Sequence, residues 1–365
     1  MNLFSLPVYQ AIARFDSGKN VELTFFFYNR GDAPGVDKDA FFGIRDKAVE
    51  AISSFTKAKP VLVGKDAHNA VKADGVAWET ASSHFLLEWS FTREIKTRNI
   101  PFRPEFVRLL VTPAAKQQGM LQSHLGAASA SARFNGPSHV KRAENGDVVI
   151  EGIPMVDQGD KGYCVVASAE RVMRYYGLKV DEHELAQIAN TSVSGGTSTQ
   201  AMLEALKKIS SRLRIKTRPI EAMNIHAIME LVNDYNRAAR RGRQAPEIKL
   251  VGHVIDVPSL YRQMKPDVLK AARSHNPADV SRFLRQIQPH IDQGIPVLWS
   301  VMLGIIPGQR EPQSFGGHMR LLIGYNPKTS EVIYSDSWGL GHELKRMPLD
   351  DAHTITTGLY LVEPM

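Results

Sequence analysis

The sequence predicts a mixed α+β chain in two parts, and three observations carry that expectation. Apolar positions at helical spacing alternate with short β-branched and aromatic runs along the whole chain. A stretch rich in glycine, alanine and serine, residues 116–147, separates a smaller first part from a larger second part. The length of 365 residues, with 43% apolar and 23% charged, is enough for two packed cores. The expected organisation is an α+β domain over 1–115, a linker over 116–147, and a second α+β domain over 148–365 carrying a helical insertion at about 221–293.

In the first part, Val21 to Phe27 reads as a strand and Asn29 to Gly35 as a loop. Lys38 to Thr56 has apolar residues at 41, 44, 48, 52 and 55, with Asp37 placed to cap the helix. Further strands are expected at Pro60 to Val63, Phe85 to Phe91 and Phe106 to Val111, and in the second of these residues 85, 87, 89 and 91 share a face. The linker holds Gly119, Gly126, the small-residue run Ala127 to Ala132, Gly136-Pro137 and Asn145-Gly146.

In the second part, Val165 to Tyr176 has the helix period and Gly177 stops it. Asp181 to Asn190 reads as a short helix, Thr191 to Gly196 as a loop, and Thr197 with Gln200 as a capping box for a helix over Thr199 to Lys208. Asn224 opens a helix ended by Gly242, and Asn276-Pro277 opens another ended by Gly294. Ile295 to Leu303 reads as a buried strand. Met319 to Tyr325 and Glu331 to Asp336 read as a hairpin turning at Asn326 to Ser330.

The chemistry gathers around one cysteine. Cys164, the single cysteine of the chain, stands at the first turn of the helix that follows it. Unpaired backbone N–H groups and the positive end of the helix dipole favour a thiolate there. Gln158, six residues earlier, can join the Cys164 N–H in binding an oxyanion. A thiolate nucleophile needs a base and the base needs an orienting group. If the late hairpin is centred near Pro327, His318 and Asp336 fall opposite one another on one face, with Cβ atoms roughly 5 Å apart.

These residues carry a resemblance. Gln158-Gly-Asp-Lys-Gly-Tyr-Cys164 resembles the Gln-to-Cys block of papain-like cysteine peptidases, and Asp336-Ser-Trp-Gly339 resembles their Asn-Ser-Trp-Gly block, eighteen residues after His318. The Gly316-Gly317 lead-in to His318 and the aspartate in place of asparagine are closer to the bacterial double-glycine-peptidase-like (bacteriocin-processing) branch. The resemblance spans residues 150–365 and implies that the second domain is papain-like. It implies Cys164 as nucleophile, His318 as base and then acid, Asp336 as its orienter, Gln158 as oxyanion donor and Trp338 as a shield over the His–Asp pair. Gly162, Tyr163, Gly195, Gly196 and Gly317 are expected to line or support the cleft. The chain departs from papain proper in having Val165 where tryptophan stands, and no transporter segments follow, so processing of double-glycine leaders is not implied.

The expected activity is hydrolysis of peptide bonds, with a peptide or protein as substrate. Two alternatives use the same surface: an acyltransferase, deamidase or transglutaminase-like enzyme in which another nucleophile resolves the thioester, and a binding protein on an inactive peptidase scaffold. No cofactor and no metal is expected. Neither His183-Glu184 nor His342-Glu343 extends to the spacing that puts two zinc ligands on one helix face, and no serine nucleophile elbow occurs. The net charge is +7, and its densest basic patch, Arg237 to Arg243, has no interleaved aromatics, which reads as a solvated helix end and not as a nucleic-acid surface. Arg30-Gly31-Asp32 reads as a turn. No run approaches a membrane span and Met1 to Pro7 lacks a basic start and an apolar stretch. A soluble protein is expected, cytoplasmic as the chain stands and exported if a signal peptide has been removed. The first domain is expected to be a docking module or a pro-region.

Overall fold

A computed structural model describes residues 1–16, 19–63, 71, 73–95, 97, 99–114, 134–159, 162–178, 180, 182–191, 198–242, 247–250, 255–307 and 311–365. It divides into two compact units, the first made of Met1–Arg133 with Val180–Gly195, the second of Phe134–Lys179 with Gly196–Met365.

The first unit is built on strands Gln10–Asp16 (β1), Lys19–Asn29 (β2), Val61–Val63 (β3), Asp74–Glu79 (β4), Ser83–Thr92 (β5) and Arg103–Pro113 (β6). They form one antiparallel sheet in the order β1-β2-β6-β5-β4-β3. Helix Lys38–Thr56 (α1) starts where Asp37 accepts a hydrogen bond from the Ala40 N–H, as its sequence position predicts. One sheet face supplies Phe27, Phe85, Leu87, Trp89, Val107 and Leu109 to a core shared with Phe41, Ala48 and Ile52 of α1. The alternation of residues 85–91 is therefore the pleat of β5. The other sheet face carries charge, including the buried Glu88 and Arg108.

The second unit begins with strands Val140–Arg142 (β7) and Val148–Ile150 (β8), so residues 134–147 are not linker. The turn chemistry of Asn145-Gly146 is that of the β7–β8 connection, and Gly146 sits at φ +99°. Gly136 lies backbone to backbone against Gly294: a Cβ on Gly294 would meet the Gly136 carbonyl oxygen at 2.0 Å. The remainder of the predicted linker, 116–133, lies outside the described residues.

Helix Cys164–Tyr175 (α2) follows. Helix Glu182–Ile188 (α3), expected in the peptidase domain, belongs to the first unit. It lies on the charged sheet face because its own side chains are polar. Arg108 donates to Glu88 at 2.9 Å and to Glu184 at 2.7 Å, Ser90 donates to Gln187 at 2.9 Å, and His183 Nε2 lies 2.6 Å from Gln10 Oε1. Arg30 bonds Glu105 and the Thr191 carbonyl, which engages the Arg-Gly-Asp tripeptide within the unit.

Helix Thr199–Leu213 (α4) is capped by Ser198, whose hydroxyl accepts from the Ala201 N–H, and it runs past the expected end at Lys208 because Ile209 and Leu213 continue its buried stripe. Strand Ile215–Ala222 (β9) runs up to the predicted helical insertion. Helices Ile225–Gly242 (α5), Val257–Arg262 (α6), Pro266–Arg273 (α7) and Pro277–Asp292 (α8) lie within it. Asn224 and Asn276 cap α5 and α8 as expected, accepting from Ala227 N–H and Ala278 N–H.

Strands Val297–Leu303 (β10), Gly316–Asn326 (β11), Glu331–Ser335 (β12) and Lys345–Pro348 (β13), helix Leu349–Ile355 (α9) and strand Thr356–Pro364 (β14) complete the unit. Its eight-stranded antiparallel sheet runs β9-β14-β10-β11-β8-β7, with β12 joining β11 to β13. β11 is central and buried from His318 onward, and α2 lies against it, with Ser168 Oγ 3.3 Å from the Met319 carbonyl. Among the described residues no helix is long and apolar enough to cross a membrane.

Candidate active site

The site begins at the first residue of α2. Tyr163 holds the cap position, its carbonyl accepting from the Ala167 N–H, and Val165, Val166, Ala169, Val172 and Met173 bury the helix behind it. Cys164 is thus a half-buried free thiol at the N-terminal end of a 12-residue helix, where the dipole favours negative charge.

His318 comes from β11 and Asp336 from just beyond β12. They meet, but not in the register the sequence predicts. Leu321 pairs with Ser335 and Leu322 with Tyr334, and a bulge shifts the pairing so that Gly324 faces Ile333. Continued outward, this register sets Asp336 across from Arg320 and diagonal to His318, one pleat away on the same face. The turn lies further along the chain than a hairpin centred on Pro327, since Asn326 pairs with Glu331, and the bulge at Ile323 then returns Asp336 to the face that carries His318. Asp336 Oδ1 lies 2.6 Å from His318 Nε2, and neither side chain has any exposed surface.

The electrostatics follow from that burial. Desolvation pushes the His318 imidazole toward its neutral form, but hydrogen bonds and charge from Asp336 and Cys164 outweigh it and raise the pKa to about 8. Burial favours the protonated Asp336 carboxyl, yet His318 and the positive charges of Arg320 and Lys345 hold it below its usual value. With Nε2 given to Asp336, His318 Nδ1 has no oxygen or nitrogen partner among the described residues, and the thiol of Cys164 is the other group that interacts with the ring. Trp338 stacks on the imidazole with centroids 4.2 Å apart and planes 12° from parallel, covering the pair as its sequence position predicts.

Gln158 is buried beside the same loop. Its backbone N–H donates to the Ser337 carbonyl at 2.8 Å, and its side-chain Oε1 accepts from the Ser337 hydroxyl at 2.7 Å. Because the oxygen is occupied, the NH₂ end of the amide is the end left to donate. Gly162 and Gly317 are exposed, Gly317 immediately before His318, whereas Tyr163 is buried at the helix start. Gly195 and Gly196 lie outside the described residues.

Two supporting residues, Arg171 and Arg320, have no motif in the sequence, and Ser337 lies within the Asp336-Ser-Trp-Gly339 block without a role predicted for it. Arg171, buried on α2, donates to the carbonyls of Pro154 and Asp336 and to the Ser335 hydroxyl; burial lowers its pKa to about 10. Ser337 orients Gln158. Arg320 lies 3.0 Å from Asp336 Oδ2 and donates to Glu311 at 2.7 Å. The signal that would have found the arginines is a charge inside an otherwise apolar helix face or buried strand, since such a charge needs a partner. Glu311, Asp336 and His342 offer ligand atoms within 4.8 Å of one another. Both carboxylates are already paired with Arg320 or Lys345, so the trio forms an ion-pair network in preference to a ligand set.

A thiol at a helix start, a shielded imidazole–carboxylate pair on adjacent strands and an oriented side-chain amide describe a cysteine-type peptidase. Residues 150–356 match the model of the Peptidase_C39 like family, and the chain belongs to that family. Among solved structures it is similar to xylellain, a cysteine protease from Xylella fastidiosa, with 12% identity and a TM-score of 0.33 over 63% of this chain and 88% of that one. No curated protein sequence matches it.

Proposed function

We propose that the chain hydrolyses peptide bonds in a peptide or protein substrate, with Cys164 as nucleophile, His318 as base and acid, Asp336 as orienter and Gln158 as oxyanion donor. The observation that supports this reading best is the division of labour on His318. Nε2–H is held by Asp336 at 2.6 Å, which leaves the Nδ1 lone pair for the Cys164 proton. The thiolate adds to the scissile carbonyl, and the oxyanion takes hydrogen bonds from the Cys164 N–H and the Gln158 amide. The imidazolium then protonates the leaving amine, and a water deprotonated by His318 hydrolyses the thioester and restores the thiol.

The test is mass spectrometry of a peptide mixture incubated with the wild type and with Cys164→Ala. New termini generated by the wild type alone are the expected result. Intact backbones with deamidated or cross-linked side chains would transfer the same residues to acyl-transfer chemistry, and no change with either protein would leave a binding scaffold.

We further propose that the first unit is a permanent module and not a shed pro-region. Its charged sheet face is covered by α3, a segment that follows the nucleophile helix in the chain. A cut within 115–133 leaves α3 attached to the peptidase and still folded into that sheet. Intact mass and gel filtration after prolonged incubation test this: co-elution of the two fragments is expected, and release of residues 1–133 would refute it.

A further inference from the structure

We propose that Arg320 is a positioning residue of the catalytic apparatus, fixing the Asp336 carboxylate so that Oδ1 accepts from His318 and limiting how tightly the imidazole holds its proton. This deepens the mechanism above and rests on it. Arg320 has no exposed side-chain surface. Its Nε lies 3.0 Å from Asp336 Oδ2, while the other carboxylate oxygen faces His318, so the carboxylate is held between two cations. The far end of the guanidinium donates to Glu311, which Lys345 pairs in turn, and its face lies 4.5 Å from the Tyr334 ring centroid and 5.8 Å from that of Trp299. Held by the Glu311 hydrogen bond and stacked on Tyr334, Arg320 keeps its charge against Asp336 as a buried ion pair and so fixes the position and the ionisation of that carboxylate.

The charged and titratable groups around it come from each neighbouring element. They are His318 on β11, Tyr334 on β12, Asp336 and His342 after β12, Lys345 on β13, Glu311 before β11, and Cys164 and Arg171 on α2. Within this set Arg320 offsets the negative charge that Asp336 presents to His318. Without it the pair holds its proton more firmly, and the base is regenerated only at higher pH.

The experiment compares wild type, Arg320→Gln, Arg320→Lys and Glu311→Gln. Two readouts are taken against pH: kcat and KM on a peptide substrate, and the rate of Cys164 alkylation by iodoacetamide, with the folded fraction of each variant measured by circular dichroism. For Arg320→Gln the acid limb of kcat, which reports regeneration of the neutral His318 base, is expected to rise by about one pH unit, with kcat at pH 7 lowered by up to about 10-fold and KM within about 2-fold. Arg320→Lys keeps the charge and is expected to restore the limb. Glu311→Gln removes a negative charge instead, so its limb is expected to fall; this variant carries the test if Arg320→Gln does not fold. A limb that stays put while kcat drops only in step with the folded fraction would show a merely structural role and overturn the proposal. If Cys164→Ala keeps full turnover, the mechanism itself fails, and the alkylation profile still reports whether Arg320 tunes His318.

Discussion

Replacing Ser337 with alanine isolates one part of the oxyanion apparatus. Ser337 is fully buried and its hydroxyl donates to Gln158 Oε1 at 2.7 Å, while its carbonyl holds the Gln158 N–H at 2.8 Å. Ser337→Ala keeps the backbone bond and removes only the bond that tells the two ends of the amide apart. A net hydrogen bond of about 0.5–1.5 kcal/mol corresponds to roughly a 2- to 13-fold change in the population of the donating orientation. We expect kcat to fall by that factor with KM unchanged. Gln158→Ala, which removes the donor itself, is expected to lower kcat by about 10²–10³. The decisive measurement is the double variant. If Ser337 acts through the amide, Ser337→Ala has no effect on kcat once Gln158 is alanine, because the two changes touch one function. The same loss in both backgrounds would refute the reasoning and assign Ser337 to general support of the loop.

Three further outcomes are expected. Cys164→Ala should abolish turnover while leaving thermal unfolding close to wild type, measured by peptide cleavage and circular dichroism; residual wild-type rates would remove Cys164 from the mechanism. The His318 imidazolium, with its pKa raised from 6.5 to about 8, is present below that pH and lost above it. A plot of kcat/KM against pH should therefore show an alkaline limb near pH 8, and Asp336→Asn should move the limb down; the stability that the raised pKa contributes is likewise full below 6.5 and lost as pH rises through 8. Arg108→Met removes the buried cation that pairs with both Glu88 and Glu184 and should destabilise the first unit by about 3–5 kcal/mol in urea unfolding, whereas a change under about 1 kcal/mol would show that the network carries little of its stability.

The parts of the fold legible in the sequence are those set by local rules. Asp37, Asn224 and Asn276 cap helices where their spacing says they should, and the alternation at 85–91 reports a sheet face, because caps and pleats are decided by residues a few positions apart. The catalytic tetrad is legible for a different reason: cysteine, histidine, aspartate and glutamine are few, and their chemistry limits how they can combine. What the sequence hid depends on distant partners. The turn signals at Gly136-Pro137 and Asn145-Gly146 mark bends but not the sheet those bends belong to, so the linker was drawn too long. The bulge that sets Asp336 diagonal to His318 has no glycine or proline at its shifted residue, Ile323. Arg171 and Arg320 look like surface charges until the backbone carbonyls and carboxylates that hold them come together. α3 follows the nucleophile helix in the chain, and its sequence predicts the same domain for both, because no pattern within ten residues announces a salt bridge to Arg108.

That placement of α3 bears on how such a protein can be built and rebuilt. The chain passes between its two units three times, after residues 133, 179 and 195. A gene that joins a first unit to a peptidase by simple end-to-end fusion produces one passage, not three. The arrangement therefore cannot be assembled or dismantled by swapping terminal pieces: a truncation starting at residue 134 exposes the polar face of α3, and a free 1–133 fragment exposes Glu88 and Arg108 without Glu184. Expression plans, chimeras and evolutionary comparisons should treat the peptidase and its companion as one heritable object, in which a short helix from the enzyme is a structural part of its neighbour.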